Sequence, residues 1–257
     1  MERIILFILP LIFLVIGELT FPRRQLSLPR RVRWLGAGLL LVIGSVLTRL
    51  LVPAGLMGVA LYAHAHQIGL FNLVAFPTTG AVLLGFILFD FAVWAQHVAM
   101  HKVDVLWRFH RVHHSDPDFD VFTALRFHPG ELILSLAWKA LIILALGVPA
   151  WAALWYAAIL NLSAMFNHAN LNLPLWLDPY LRKLLVTPDM HRIHHSADHR
   201  EANRNFGFCL PWWDHLFDLY QDQPQTDHTE MQIGQSEWRS SEDQSLWSLL
   251  VQPRYRP

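Results

Sequence analysis

The 257-residue chain is poor in charged residues and in cysteine. Asp, Glu, Lys and Arg together make up 16% of it, below the roughly one quarter that is usual in soluble domains. Cys209 is the only cysteine, so no disulfide can form within the chain. The formal net charge is zero, and nothing in it indicates binding to nucleic acid. A disulfide scaffold and a nucleic-acid-binding domain are therefore not expected.

Several catalytic motifs are absent as well. His97 and His101 enclose Val98, Ala99 and Met100, so the general-base glutamate of an H-E-x-x-H zinc protease is missing. There is no pair of E-x-x-H helices as in soluble carboxylate-bridged di-iron bundles. A nucleotide-binding glycine loop, a serine nucleophile elbow and a C-x-x-C pair are not found either. Histidine remains as the residue type that carries the chemistry.

Long apolar runs recur along the chain, which is 54% hydrophobic. Runs of this length predict membrane-spanning helices and hence an all-α, polytopic membrane protein. The first run leads into an Arg-rich loop rather than a small-residue cleavage site, so we expect it to be kept as an anchor. The stretch 53–77 is expected to be re-entrant or interfacial. The predicted apolar helices cover residues 4–19, 34–52, 79–99, 132–148 and 151–166.

A short basic loop follows the first apolar run. It contains Arg23, Arg24, Arg30, Arg31 and Arg33. Because short cytoplasmic loops of membrane proteins carry an excess of Lys and Arg, we expect this loop in the cytoplasm. A solvated face of a soluble protein would be the ordinary explanation, but apolar runs flank the loop on both sides.

Eight histidines form three closely spaced sets. On a helix, residues three and four apart share a face, so each set can present its imidazoles together. Imidazole is the commonest metal ligand, and a histidine-only set suits iron, zinc, copper or nickel. Eight ligands exceed what one four-coordinate metal needs, which points to two metals. The sets are His97 and His101; His110, His113 and His114; and His191, His194 and His195.

Two topologies are open for the apolar segments around Gly147–Ala150. One kinked span over about 140–166 would place the first and last histidine sets on opposite sides of the membrane. A helical hairpin keeps both on one face, so a shared site favours the hairpin. Each arm is slightly short of the roughly 20 residues of a full span. Shallow insertion, with Lys139 reaching the interface, is therefore open as well.

Asp90 is the only charged residue in the third predicted span. Asp90, Trp94, His97 and His101 stand at i, i+4, i+7 and i+11, on one helical stripe. A carboxylate within a membrane segment is costly and usually functional. A capping or snorkelling role is the alternative. We expect Asp90 to act in catalysis by orienting a ligand imidazole.

The histidine order H-x3-H, H-x2-H-H, H-x2-H-H resembles that of the membrane fatty acid hydroxylase and sterol desaturase superfamily. The stretches Leu125–Glu131 (L-R-F-H-P-G-E) and Thr187–Ser196 (T-P-D-M-H-R-I-H-H-S) look like its bacterial branch. The resemblance covers roughly residues 84–219. It implies transmembrane helices with a cytoplasmic helical cap that holds a histidine-rich dimetal site.

The resemblance also assigns residues. It makes His97, His101, His110, His113, His114, His191, His194 and His195 metal ligands. His168 matches a further ligand, although Asn172 stands where an H-x3-H partner of His168 would be. His128, in the H-P-G-E stretch, is a tenth candidate ligand. The alternatives are that it orients a ligand imidazole or contacts the substrate. His64, His66, His199, His215 and His228 are expected to be bystanders.

The implied activity is that of a di-iron oxygenase acting on a lipid C–H bond. It would use O2 as cosubstrate and electrons from a separate cytochrome or ferredoxin-type protein, and give an alcohol or an alkene on a fatty acyl or sterol-like substrate. A metal carrier and a membrane zinc hydrolase are the alternatives. We expect a bacterial inner-membrane protein with a cytoplasmic active site. The expected segments are membrane anchor helices at 1–78, a catalytic domain at 79–220 with its hairpin at 132–166, and a polar, loosely ordered tail at 221–257.

Overall fold

The computed structural model describes residues 2–74 and 76–255, and all its regular secondary structure within these ranges is helical. Within them no β-strand occurs, only the isolated bridges Pro22–Leu171 and Ser196–Ile233. The all-α prediction is therefore confirmed. The helices are α1 Glu2–Thr20, α2 Arg30–Leu51, α3 Gly55–Ala65, α4 Leu70–Leu73, α5 Thr78–Lys102, α6 Asp104–His114, α7 Pro129–Leu146, α8 Ala150–His168, α9 Asp178–Leu181, α10 Pro188–His194, α11 Trp212–Leu216 and α12 Leu246–Val251.

Three helical stretches of the described residues are long and apolar enough to cross a membrane. They are Arg30–Leu73, which comprises α2 to α4, Thr78–Lys102 and Pro129–Leu146. Phe7–Thr20 is a shorter apolar helix. Stretches of about 20 apolar residues match the hydrocarbon thickness of a bilayer. These helices identify the chain as a membrane protein.

A tight turn joins α7 to α8. Gly147 ends α7 in the left-handed conformation with φ 68°, and a Cβ there would lie 2.7 Å from Asn72 Nδ2, so glycine is needed on both counts. Pro149 then precedes the first residue of α8. The outer ends of both helices meet α6, because Glu131 contacts His110 and His168 contacts His113. The two helices thus form the hairpin that a shared site requires.

The segment after residue 221 is more ordered than we expected. Ser245 caps α12 by accepting a hydrogen bond from the Ser248 N–H. On the same helix, Leu249 is fully buried against Leu40 of α2 and Val112 of α6. The polar composition of this segment hid the short apolar stretch Leu246–Val251, which is too short to give a periodic signal by itself.

A buried charge cluster ties the start of α2 to the loop that follows α6. Arg33 is 1% exposed, and its guanidinium donates to Asp116 Oδ1 at 2.6 Å and to Asp120 Oδ2 at 2.6 Å. Asp118 accepts from the backbone N–H groups of Ser27 at 2.7 Å and Leu28 at 2.9 Å. The basic loop and the loop after His114 are therefore held together at the end of the helices where the histidines lie.

Removing Arg33 should destabilise this end of the protein. Arg33→Met leaves buried carboxylates without their cation, and breaking one side of a buried ion pair typically costs roughly 3–5 kcal/mol. Thermal unfolding of the purified protein in detergent micelles measures the effect. Arg31→Met, at an exposed position of the same helix turn, is the matched control. Equal melting temperatures for the two variants would contradict the assignment.

Candidate metal centre

Nine of the ten predicted histidine ligands come together in two groups at one end of the helices. They are supplied by the C-terminal ends of α5 and α8, by α6, and by α10 with its capping residue. Within each group the potential ligand nitrogens all lie within 4.8 Å of one another. The first group is His97, His101, His110, His114 and His194; the second is His113, His168, His191 and His195.

The Nε2 atoms face one another within each group. His97 Nε2 lies 3.1 Å from His110 Nε2 and 3.0 Å from His194 Nε2. In the second group, His168 Nε2 lies 3.0 Å from His113 Nε2. A metal with bonds of about 2.1 Å and ligands at right angles holds neighbouring nitrogens about 3.0 Å apart. The observed spacing therefore fits imidazoles that share a metal ion.

Hydrogen bonds at the opposite ring nitrogens determine the tautomers. His97 Nδ1 donates to the Phe206 carbonyl at 2.8 Å, and His194 Nδ1 donates to the Arg204 carbonyl at 2.8 Å. A carbonyl can only accept, so each Nδ1 carries the proton and each Nε2 presents a lone pair. Two lone pairs at 3.0 Å repel unless a cation lies between them. This donor set fits a bound metal ion.

Burial keeps the clustered rings of α6 and α10 in the form that binds metal. Burial and the neighbouring imidazoles lower the pKa of His113, His191 and His195 well below the ordinary value. Burial lowers the pKa of His194 to about 3. These imidazoles are therefore neutral at pH 7, and neutral imidazole is the ligand form.

Glu131 is a site residue that the sequence argument missed. Its Oε1 accepts a hydrogen bond from His110 Nδ1 at 2.6 Å. A carboxylate on the far nitrogen orients a ligand imidazole and raises its basicity. Glu131 belongs to the H-P-G-E stretch on which the resemblance rests, but in that stretch only His128 was a candidate ligand.

Asp214 is a second residue that was missed, and it organises the loop behind His97. Its Oδ1 accepts from Trp94 Nε1 at 2.9 Å and from the Phe206 N–H at 2.9 Å, and its Oδ2 accepts from the Gly207 N–H at 2.8 Å. The loop so held presents the Phe206 carbonyl to His97. No sequence motif distinguishes Asp214 from the other carboxylates of this polar segment, and its partner on α5, Trp94, lies 120 residues away.

Asp90 is buried, as expected, but its partners are not imidazoles. Its Oδ2 accepts from Trp213 Nε1 at 2.8 Å, and its Oδ1 accepts from the Cys209 N–H at 3.3 Å. Seven residues of helix separate it from His97 by about 10 Å along the axis, beyond hydrogen-bond reach. Asp90 therefore acts on the same loop as Asp214 and reaches the histidines only through it.

His128 is the one predicted ligand that lies outside both groups. Its Nδ1 accepts a hydrogen bond from the Gly130 N–H at 3.0 Å, so the side chain caps the start of α7. Its ring packs against Phe109. Among the bystanders, His64 Nδ1 lies 3.2 Å from Asn72 Oδ1, away from both groups. The spacing of His128 before a proline suits an N-cap, and this local demand decides its position.

Comparison with known proteins agrees with this geometry. Residues 82–218, more than half of the chain, match the fatty acid hydroxylase family. The chain belongs to the fatty acid hydroxylase family. No solved structure is significantly similar to it.

Three curated relatives of this chain carry the names of lipid-modifying enzymes. An ornithine lipid hydroxylase from Rhizobium tropici is 30% identical over 177 residues, 68% of this chain and 50% of the relative. Human alkylglycerol monooxygenase is 29% identical over 133 residues, 51% of this chain and 28% of the relative. A fatty acid hydroxylase from a Lecanicillium species is 31% identical over 161 residues, 58% of this chain and 44% of the relative. The chain thus spans half or less of the length of these relatives.

Two cavities adjoin the first histidine group of this fatty acid hydroxylase family member. One, of about 440 Å³, is lined mostly by apolar side chains and reaches His97 and His110. The other, of about 630 Å³, reaches His101 and His114 and is lined by more polar residues. Within this group, His97 and His110 therefore face an apolar space, whereas His101 and His114 face a polar one.

Metal content should separate the clustered histidines from His128. His168→Ala removes a nitrogen that lies within 3.2 Å of three neighbouring Nε2 atoms, so we expect the second group to lose its metal. His128→Ala should keep the metal content of the unaltered protein. Metal analysis of anaerobically iron-loaded protein measures both, and each variant serves as the other's control. Equal metal loss in the two variants would contradict the assignment.

Proposed function

We propose that this protein is a membrane-bound di-iron oxygenase that hydroxylates or desaturates a lipid at a C–H bond. The observation that carries the proposal is the pair of histidine groups next to an apolar cavity. The family membership and the lipid-modifying relatives support the same reaction class.

The nine clustered histidines would hold two iron ions, one in each group. When bound, the iron ions would supply the activation of O2, the cosubstrate, with electrons from a separate cytochrome or ferredoxin-type protein. The Phe206 and Arg204 carbonyls and Glu131 hold the imidazoles of His97, His194 and His110 in one tautomer. This preorganisation limits reorganisation around the metals.

The apolar cavity would bind the substrate chain. Leu132, Leu136 and Leu160 line it between the helices, next to His97 and His110. Such walls hold an acyl or sterol-like chain by the hydrophobic effect and exclude water from the reacting carbon. The substrate would enter from the bilayer. Loss of one hydrogen followed by gain of oxygen gives an alcohol, and loss of two hydrogens gives an alkene.

The two alternatives have less support. A carrier that moves metal across the membrane needs ligands accessible from both sides, whereas both histidine groups lie at one end of α5, α7 and α8. A zinc hydrolase needs a general base near the metal, and the nearest carboxylate, Glu131, is engaged with His110 Nδ1 at 2.6 Å.

We further propose that residues 79–220 form the catalytic domain on the cytoplasmic face of a bacterial inner membrane, with 1–78 as anchor helices and 221–257 as a segment that covers the site. The Arg-rich loop and the histidine groups lie at the same end of the helices, joined through Arg33. The positive-inside tendency would then place this end in the cytoplasm.

Cysteine labelling tests this orientation. In a Cys209→Ser background, Ser27→Cys and Ser236→Cys introduce thiols at exposed positions near the histidine end, and His66→Cys introduces one at an exposed position near the opposite end. A membrane-impermeant maleimide applied to intact cells should label only His66→Cys. Labelling of Ser27→Cys or Ser236→Cys from the outside would overturn the orientation.

Lipid analysis tests the activity. Cells that express the protein under isotopically labelled O2 should contain a lipid that carries one labelled oxygen, or one that lacks two hydrogens. Cells that express His194→Ala should contain neither product, because the first group loses a ligand. His215→Ala, outside both groups, is the matched control and should retain the product. Identical lipid profiles with active protein and with His194→Ala would refute the proposed activity.

A further inference from the structure

The apolar cavity extends along α7 away from the first histidine group. Glu131, beside His110 at the start of α7, lines one end of it. Lys139 also lines the cavity, eight residues further on, which corresponds to about 12 Å along a helix. The cavity therefore has a histidine end and a distal end that carries an ammonium group.

Lys139 lies on the inner face of α7. Glu131, Ser135 and Lys139 follow each other at intervals of four residues, and all three line the cavity. Leu134 and Leu141, on another face of the helix, are 39% and 60% exposed. The lysine therefore belongs to the cavity wall and not to the outer apolar surface of the helix.

The Lys139 side chain makes no direct polar contact in the described part of the chain. Among residues 2–74 and 76–255 it has no hydrogen bond and no ion pair within 4 Å, and the carboxylate that acts on its charge, Glu131, lies eight residues away on the same helix. A cation within an apolar helix that is long enough to span a membrane is costly, and such residues as a rule mark the path of a ligand. An anionic ligand in the cavity would compensate this charge.

Side-chain amides add donors to the same cavity. Ser135 Oγ donates to Gln96 Oε1 at 3.4 Å, which leaves the Gln96 amide nitrogen available to a ligand. Asn161, on α8, also lines the cavity, and no hydrogen bond occupies its side chain within the described residues. One ammonium and two amide groups suit an acceptor with several lone pairs, such as a carboxylate or a phosphate.

We propose that Lys139, assisted by Gln96 and Asn161, binds the anionic oxygen group of an acyl lipid and so determines which carbon reaches the histidine groups. The proposal rests on the proposed lipid oxygenase function, because the acyl chain occupies the apolar stretch between Lys139 and His97. The polar group and the oxidised carbon are then separated by a fixed length of chain.

A further cavity leaves room for a larger lipid. This space, of about 360 Å³, shares Phe7, Thr48 and Asn161 with the apolar cavity and continues towards α3. A free fatty acid would fit the apolar cavity with its carboxylate at Lys139. A phospholipid would place its phosphate there and a second chain in the adjoining space. Both ligands offer the same anionic oxygen chemistry.

Binding of three probes to the purified full-length protein in a neutral detergent tests the proposal. The probes are palmitic acid, dipalmitoyl phosphatidic acid and 1-hexadecanol, the last as the uncharged chain. Lys139→Met should weaken binding of at least one anionic probe by about tenfold or more, as expected for a lost charge-assisted contact. It should change binding of hexadecanol by less than about twofold. Lys139→Arg should retain most of the affinity, and Lys183→Met, at an exposed position, controls for loss of one positive charge.

The two anionic probes identify the source of the group. Dependence on Lys139 for palmitic acid alone indicates a carboxylate, and dependence for phosphatidic acid alone indicates a phosphate. Unchanged anionic binding in Lys139→Met, an equal loss of hexadecanol, or no binding of any probe overturns the proposal. Metal content of the same samples is measured separately. Probe binding that depends on Lys139 in protein that takes up no metal after anaerobic iron loading would contradict the oxygenase function and leave the anion site standing.

Discussion

The structure depends on bringing neutral imidazoles within about 3 Å of one another in a buried space. The Nε2 atoms of His97 and His194 are 3.0 Å apart, and those of His168 and His113 are 3.0 Å apart. Such a cluster is unfavourable without a cation, because lone pairs face lone pairs in a buried space. The fold holds four of the imidazoles from behind: backbone carbonyls accept from Nδ1 of His97, His194 and His168, and Glu131 accepts from Nδ1 of His110.

Long-range contacts provide that support. The cluster of Arg33 with Asp116 and Asp120 fixes the loop after α6 against α2, more than eighty residues away in the sequence. On the other side, Asp214 holds the loop whose Phe206 carbonyl orients His97. The scaffold is therefore built from charged residues buried next to apolar helices. A buried ion pair of this kind is weak evidence for net stability, but it specifies one arrangement of the loops.

The helices and the grouping of the histidines were predictable from the sequence because both depend on local patterns. Apolar length predicts helices, and the spacing of three and four residues predicts shared faces. The contacts of Glu131 with His110 and of Asp214 with Trp94 were not predictable, because these partners lie 21 and 120 residues away. His128 was a candidate ligand, with an orienting group or a substrate contact as the alternatives, and it lies outside both groups. A histidine before a proline suits a metal site and a helix cap equally well, and only its position relative to the groups separates the two. The ordered segment after residue 221 was hidden by its polar composition.

The first histidine group lies where an apolar space and a polar space meet. His97 and His110 face the apolar cavity, whereas His101 and His114 face the polar one. Gly234 to Trp238 and Tyr255 form part of the polar wall, so the C-terminal segment shapes access to the group from that side. An acyl chain is favoured in one space and water or a charged partner in the other, since apolar surface gains from leaving water and charges do not. The proposed lipid oxidation needs a dry carbon and a supply of protons and electrons, and these opposite requirements would be met on different imidazoles of the first histidine group.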